Sequence, residues 1–407
     1  MSLSVGIIGG GASGMAAAIA AAEQGAKVTI LEKNDRLGKK ILATGNGKCN
    51  LGNENLSGVQ YYSEDISLVD TFLQKHSTEE TKEFFRGLGL MIKDKNGYLY
   101  PYSEQAASVL DVLRFRLQQL GINMVTDCTV NKIHAGRKQY MVDTAKGTYS
   151  FDRIILCTGG KAAPKTGSDG SGYKMTESLG MKLYPIVPAL VQLKCKENWF
   201  KSVSGVRAEA DVQILSKGKV VAAEKGEVQL TDYGISGIPV FQVSRVVNRM
   251  LLDCKEVNVR LKFLPYDKQE FAQKMYEERK GLLQGRTAEE YFSGLLNKKL
   301  MLLFMKLAGI SAADPVSKVN KVSILRVYEF CCEITVTVIG HNGFENAQVC
   351  AGGVALTEVD EDLQSLKYPG LYLAGELLDV DGKCGGYNLH WAWCSGKVAG
   401  YAAAKEK

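Results

Sequence analysis

The chain has 407 residues, 45% of them hydrophobic and 23% charged, with a net charge of +6 and a pI near 8.6. That length suits two or three domains, and no apolar run reaches membrane-spanning length. Lysines and arginines are dispersed without a basic block, which argues against nucleic acid as the main partner. Ten cysteines without a Cys-x-x-Cys pair read as free thiols of a reducing cytoplasm. Cys331-Cys332 is expected to be two buried small residues entering a strand. Four histidines without paired spacing give no reason to expect a metal. No basic stretch precedes the first apolar run, so no signal peptide is expected.

The opening stretch orders the rest. Residues 5–8 form a short apolar run, long enough for a buried strand. Gly9-Gly10-Gly11-Ala12-Ser13-Gly14 follows at once and fits G-x-G-x-x-G. Residues 15–23 are alanine-rich and helical in propensity, and Gly25 stops them. Residues 28–31 read as a second strand with Glu32 at its end. In a βαβ dinucleotide site, Gly9 permits the tight turn, Gly11 lets backbone approach a pyrophosphate, and Gly14 lets helix and strand pack. The helix amino end offers free N–H groups to phosphate, and Glu32 can accept from a ribose hydroxyl. Strand, glycines, helix, second strand and acid fall in the order that lifts this motif above a glycine-rich turn.

Residues 34–53 are rich in glycine, asparagine and lysine. Lys39 and Lys40 can neutralise phosphate, and Thr44, Gly45, Asn46 and Gly47 supply hydroxyl, amide and exposed N–H groups. A helix is expected over 66–89, then a turn at Pro101 and a long helix ending at Gly121. Strands over 123–132, 139–144 and 148–155 make a small meander. The last of them runs into Cys157-Thr158-Gly159-Gly160, small residues suited to a ligand at the carboxyl edge of a sheet. Gly167, Gly170 and Gly172 resemble a second phosphate loop, but no strand directly precedes them, and they are set aside.

From about Pro185 the composition changes. Short strands at 190–195, 207–215, 220–223 and 228–231 suggest a small antiparallel barrel or sheet. Residues 232–244 carry small residues and Pro239 and begin a helix. Strand returns at 257–264, residues 266–307 read as mostly helical, and 334–339 is again strand-like. An apolar helical stripe there fits a buried core helix and hints at a partly apolar pocket. The tail then offers a strand and turn at 349–354, a strand at 371–374 running into Gly375-Glu376, and Gly385-Gly386-Tyr387-Asn388 before a helix over 389–404. A second glycine-preceded helix start can face another part of the same cofactor, the pattern expected for FAD rather than NAD.

GGGASGMAAAIAAAEQGAKVTILEK, GKKILATGNGKCNLGN, CTGG, LTDYGISGIPVFQVS, CAGGV and GELLDVDGKCGGYNLHWAWCSGKVAG together resemble a family of FAD-dependent flavoproteins. This BaiN-like group includes aminoacetone oxidase and a bacterial bile-acid enone reductase, and the likeness spans nearly the whole chain. It implies an α/β fold: a Rossmann-type FAD-binding domain split by an inserted β-barrel plus helical domain. The FAD-binding parts would be 1–186 and 343–407, the barrel 187–264 with 320–342, and the helical insertion 265–319.

Carried across residue by residue, the likeness implies a diphosphate turn at Gly9, Gly11, Ala12, Ser13 and Gly14, with Glu32 as the ribose acid. Lys33, Lys39, Thr44, Gly45, Asn46, Gly47, Cys49 and Asn50 would follow the ribityl and diphosphate chain. Val130 would hold adenine by its backbone, and Thr158 and Gly159 would form the adenosine-side turn. Gly375, Glu376, Asp379, Gly386, Tyr387, Asn388 and Leu389 would form the flavin-side segment. Many relatives carry Gln after Asn-Leu, where this chain has His390. His390, Tyr387 and Tyr233 are candidates for catalysis, each with a packing role as the alternative.

The expected activity is reduction of an activated C=C bond in a small, partly apolar substrate by non-covalent FAD, with NAD(P)H as a transient donor. No second strand–G-x-G-x-x-G–helix unit offers a separate nicotinamide domain. The alternatives are an amine oxidase of the aminoacetone type using O2, and a flavin-bound RNA-modifying or RNA-binding protein, for which dispersed charge supplies no basic aromatic face. No membrane partner is expected.

Overall fold

The structure, a computed structural model, describes residues 2–136 and 139–405. The chain divides into two compact units, Met1–Pro188 with Ala347–Lys407, and Ala189–Asn346.

The first unit is built on a five-stranded parallel sheet. Strand β1 (Ser4–Ile8) leads through Gly9 into α1 (Ala12–Glu23), and β2 (Lys27–Leu31) follows. β1 is the middle strand; Val5 and Ile7 are fully buried and Ile8 nearly so, as a strand covered on both faces requires. α1 is apolar around most of its circumference because it too is enclosed, with eight buried residues. Residues 66–89 form two helices rather than one, α2 (Ile66–Lys75) and α3 (Thr78–Gly87). The break falls at Ser77, whose hydroxyl accepts from Glu80 N and starts a new helix. The hairpin β3 (Ile92–Lys95) and β4 (Tyr98–Pro101) precedes α4 (Ala106–Gln119).

The strand expected over 123–132 is two: β5 (Asn123–Val125) joins the parallel sheet and β6 (Val130–Ala135) the meander. Asp127, at φ 47°, turns the chain between them. β6, β7 (Tyr140–Thr144) and β8 (Gly147–Phe151) form that three-stranded antiparallel meander. β9 (Arg153–Leu156) returns to the parallel sheet beside β1, and α5 (Ser171–Ser178) follows a long loop. The tail supplies β10 (Leu371–Leu373), parallel to β9, and α6 (Tyr387–Ala404). The sheet order is β10-β9-β1-β2-β5, so the crossing from β1 to its two neighbours puts a switch point at the carboxyl end of β1, where open α/β sheets bind ligands.

The second unit holds a closed six-stranded barrel. Its strands, in order around the wall, are Leu193–Cys195, Gly234–Ser236, Lys219–Leu230, Arg207–Ser216, Val257–Lys262 and Glu333–His341. Val257, Val259 and Leu261 alternate inward with Val336 and Val338. The expected pair of strands at 220–223 and 228–231 is one strand of 12 residues. Residues 266–307 break into Lys268–Arg279, Ala288–Phe292 and Lys298–Leu307, each begun by a capping side chain, from Asp267, Thr287 and Asn297. Cys331 and Cys332 end the helix Lys321–Cys332 just before the last barrel strand. This α/β chain is thus a Rossmann-type domain interrupted by a barrel with helices.

Candidate functional site

The three opening glycines occupy three different environments. Gly9 has φ 102°, and a Cβ on it would lie 2.4 Å from the Cys157 carbonyl oxygen. Only glycine fits that left-handed, crowded turn. A Cβ on Gly14 would lie 1.9 Å from the Gly9 carbonyl oxygen, so helix and turn are in direct backbone contact. Gly11 has nothing within 4 Å of its Cβ position; that side is open.

It opens into a cleft of about 1220 Å³, counting space continuous with solvent. Gly9, Gly11, Ala12 and Ser13 line one end, with Glu32, Lys33, Lys39 and Thr44 beside them. Val130, Thr158 and Gly159 line it from the meander and from β9, and Glu376, Asn388 and Leu389 from the tail. The two distant chain segments therefore meet on one cavity. α1, α5 and α6 all begin at glycines, Gly11, Gly170 and Gly386, and none has a side-chain cap. Their first-turn N–H groups are left for a ligand or solvent, and the positive ends of their dipoles favour an anion.

Glu32 is buried and held at both oxygens. Oε2 accepts from Gly10 N at 2.7 Å, and Oε1 accepts from Asn34 N at 2.8 Å and Asn34 Nδ2 at 2.7 Å. Lys33 pairs with Asp169 across the cleft margin. Lys40 donates to Glu376 at 2.8 Å, and Glu376 also accepts from Cys350 N at 2.8 Å. Asn388 clamps Gly382, accepting from its N–H at 2.8 Å and donating to its carbonyl at 2.7 Å. Burial pushes the Cys157 and Cys49 thiols up to about 12, so both stay protonated.

The remaining expected residues stand behind the lining. Gly45, Asn46 and Gly47 form an exposed turn with positive φ at all three. Cys49 and Asn50 are buried below it, and Asn50 Oδ1 has no hydrogen-bond partner. A Cβ on Gly386 would fall 2.6 Å from that oxygen. Gly375 is tied to α6 through its N–H to Ser395 Oγ and its carbonyl to Trp391 Nε1. Asp379 is fully buried and accepts from Glu64 N at 2.8 Å, a structural contact.

The three catalytic candidates do not line the cleft. His390 is fully buried and shares a 3.0 Å hydrogen bond with Thr81 Oγ1, with Cys394 Sγ 3.6 Å from its Nε2. It sits on the far side of the helix from Asn388, about 200° around at 100° per residue. Burial lowers its imidazole to about 4, so the ring is neutral. Tyr387 is buried, takes Tyr61 edge-on at 5.7 Å, and donates to Asn55 O at 3.4 Å. Tyr233 belongs to the second unit, where its carbonyl accepts from Cys195 N. The set-aside loop does reach the cleft: Thr166, Gly167, Ser168 and Ser171 line it. Its ends are pinned by Gly170 N donating to Gly160 O at 3.1 Å, a closure over ten residues that adjacency to a strand could not reveal.

Known proteins match this arrangement along the whole chain. The family profile described as HI0933-like protein Rossmann domain covers residues 3–402. The 3-dehydro-bile acid delta(4,6)-reductase of Clostridium scindens is 45% identical over 404 residues, 98% of this chain and 99% of that one. The ribosomal RNA dihydrouridine synthase of Haemophilus influenzae is 25% identical over 410 residues, 98% of each chain. Among solved structures, the 3-ketosteroid-delta4-(5alpha)-dehydrogenase of Rhodococcus jostii RHA1 shares the fold with a TM-score of 0.50 at 15% identity, covering 99% of this chain and 96% of that one. The chain therefore belongs to the HI0933-like Rossmann family, and it is an oxidoreductase.

Proposed function

We propose that the chain reduces a carbon–carbon double bond conjugated to a carbonyl, with non-covalent FAD in the cleft, a nicotinamide nucleotide as hydride donor, and a 3-oxo bile-acid-like enone as substrate. The observation that carries this reading is that the uncapped amino ends of α1 and α6 open into the same cavity. A long anionic cofactor with charge at two places fits that spacing better than a single phosphate. The open side of Gly11 leaves room for a diphosphate.

FAD, when bound, supplies the hydride relay between donor and substrate. The chain's own residues bind and orient it. First-turn N–H groups of Ala12 and Ser13 would hold the diphosphate, with Lys33, paired with Asp169, and Lys39, paired with Asp35, at the rim. Val130, Thr158 and Gly159 would flank the adenosine. Glu376 and Asn388, fixed by Lys40 and Gly382, would hold the other half, and the α6 dipole favours negative charge there. Buried, protonated Cys157 contributes shape rather than a nucleophile. A cytoplasmic setting fits the ten free cysteines.

The two curated relatives support the same bond class. A bile acid delta(4,6)-reductase acts, by its name, on double bonds conjugated to a 3-oxo group. Dihydrouridine differs from uridine by hydrogen across a ring double bond conjugated to a carbonyl. Identity of 45% against 25% favours the bile-acid-like substrate. RNA is the second reading, carried by the name of the relative matched over 98% of both chains.

Anaerobic stopped-flow tests the proposal. NADH or NADPH should bleach the flavin, and a 3-oxo-4-ene bile acid should restore its colour with a product heavier by two hydrogens. Bleaching by aminoacetone and not by either nicotinamide would replace this reading with an amine oxidase. Reoxidation by a ribosomal RNA fragment and not by the enone would replace it with RNA modification.

A further inference from the structure

Resting on that reading, we infer that the side-chain amide of Gln348 is a positioning group for the flavin. It pairs with the imide edge of the ring system, its oxygen accepting from the ring N3–H and its NH2 donating to the adjacent ring carbonyl. Gln348 lines the cleft beside Val349. It is exposed, whereas Ala347 and Val349 on either side are buried. The backbone next to it is fixed. Two residues on, in the short strand Val349–Ala351, Cys350 N donates to Glu376 Oε1 at 2.8 Å, and Cys350 Sγ accepts from Lys161 N at 3.1 Å. Gln348 therefore stands at the Glu376 end of the cleft, where Glu376 and Asn388 would hold the flavin half.

The other polar side chains at that end are already committed. Lys40 and Glu376 hold each other, and Asn388 is closed on Gly382. Thr44 Oγ1 donates to Ile41 O at 2.6 Å, Trp391 Nε1 donates to Gly375 O at 3.1 Å, and Lys39 pairs with Asp35 at 2.7 Å. Gln348 makes no hydrogen bond among the described residues. A carboxamide with donor and acceptor both free, carried beside a pinned strand, is what this end of the lining has left to read a ligand.

Chemistry selects the group it reads. A carboxamide carries an acceptor oxygen and a donor NH2 side by side. An imide edge presents an N–H between two carbonyls, so the two match in a pair of parallel hydrogen bonds. An enone carbonyl only accepts, and would leave the amide oxygen unmet. Adenine also sets a donor beside an acceptor, but Val130, Thr158 and Gly159 would flank the adenosine elsewhere in the cleft. The pairing also favours one redox state. Reduction adds negative charge to the ring, and hydrogen bonds to a charged acceptor are stronger than those to a neutral one. The Gln348 NH2 therefore holds the reduced form more tightly than the oxidised one.

Titration of the apoprotein with FAD, and with FAD methylated at ring N3 so that it cannot donate there, tests the pairing by binding. The wild type should bind the methylated cofactor about tenfold more weakly than FAD. Gln348→Ala should bind FAD about tenfold more weakly than the wild type does. It should nevertheless bind the two cofactors within about threefold of each other, because the partner of N3 is gone and the truncated side chain leaves room for the methyl group. In Gln348→Leu the reduced form should lose about threefold more affinity than the oxidised form, a fall of about 15 mV in the flavin midpoint potential. Thermal unfolding of the apoproteins is the control for folding. Equal losses on methylation in the wild type and in Gln348→Ala overturn the inference, as does an unchanged FAD affinity in Gln348→Ala. Unchanged FAD affinity and potential, with weaker binding of a 3-oxo-4-ene bile acid, would overturn it by reassigning the amide to the substrate. A wild type that binds neither cofactor removes the proposed function itself, whereas one that binds both alike removes only the role of Gln348. If the pairing holds but the reduced protein does not reduce the enone, the Gln348 assignment stands and the proposed reaction falls.

Discussion

Gly396 of α6 rests directly on the backbone of Ser13 in α1: a Cβ at Gly396 would lie 2.3 Å from the Ser13 carbonyl oxygen. One turn further, a Cβ at Gly400 would lie 2.2 Å from the Ala17 carbonyl oxygen. The two helices whose amino ends share the cleft are thus joined by a seam that admits no side chain. Gly396→Val should push them apart, lower stability by about 1–3 kcal/mol, and reduce the flavin-to-protein ratio on purification. Thermal unfolding with and without added FAD measures both effects.

Gly11 and Gly14 separate binding from folding. Gly11→Glu projects into open space and should leave a folded but colourless protein, because the new carboxylate crowds and repels the diphosphate. Gly14→Ala strikes the Gly9 carbonyl and should destabilise the fold itself. Circular dichroism and visible absorbance on the two variants distinguish these outcomes, and a yellow Gly11→Glu protein would count against placing the cofactor there.

Glu32 is the anchor of the opening loop. Glu32→Ala leaves Gly10 N–H and both Asn34 donors without their shared acceptor. Hydrogen bonds to a charged group contribute about 1.5–3 kcal/mol each, so FAD affinity should fall roughly ten- to a hundredfold through loss of loop order and of the proposed ribose contact. Titration of the apoprotein with FAD reads this directly.

His390 makes stability depend on pH. Its folded value, about 4, lies below the ordinary imidazole range, so the unfolded chain binds the extra proton first as pH falls. Stability should be complete above about pH 6.5 and decline by about 3 kcal/mol as pH falls toward 4. The groups that set the value are the surrounding burial, the His76 carbonyl, Glu80, His76 and Lys397, with Thr81 and Cys394 in contact. His390→Gln keeps a partner for Thr81 and should flatten this part of the profile. Urea midpoints at several pH values test it.

Much of the cofactor cleft was legible because its parts are local. Gly9, Gly11 and Gly14 fall within one turn, and Glu32 follows the next strand, so spacing alone set their places around the cleft. Gly385 and Gly386 marked the start of α6 for the same reason. Contacts made across the chain left no such mark. Thr166 to Ser171 reach the cleft only because Gly170 closes on Gly160, and Lys40 meets Glu376 across most of the sequence. His390 stands off the cleft although Leu389 lines it, because sequence neighbours on a helix point in different directions. The break at Ser77 was present in the sequence as a cap followed three residues later by Glu80, but the apolar pattern ran through it.

Because β10 and α6 come from the tail, the first unit has a timetable. While the chain is being synthesised, β9 has no partner on its outer edge and α1 has no Gly396 seam to lie against. The barrel unit, continuous from Ala189 to Asn346, emerges whole before either arrives. A ribosome-bound chain halted before Leu371 would therefore carry a finished barrel and a nucleotide domain still open along one edge, a hazard for strand-to-strand aggregation. The cleft is then complete only when the last helix has emerged, because Asn388 and Leu389 belong to its lining.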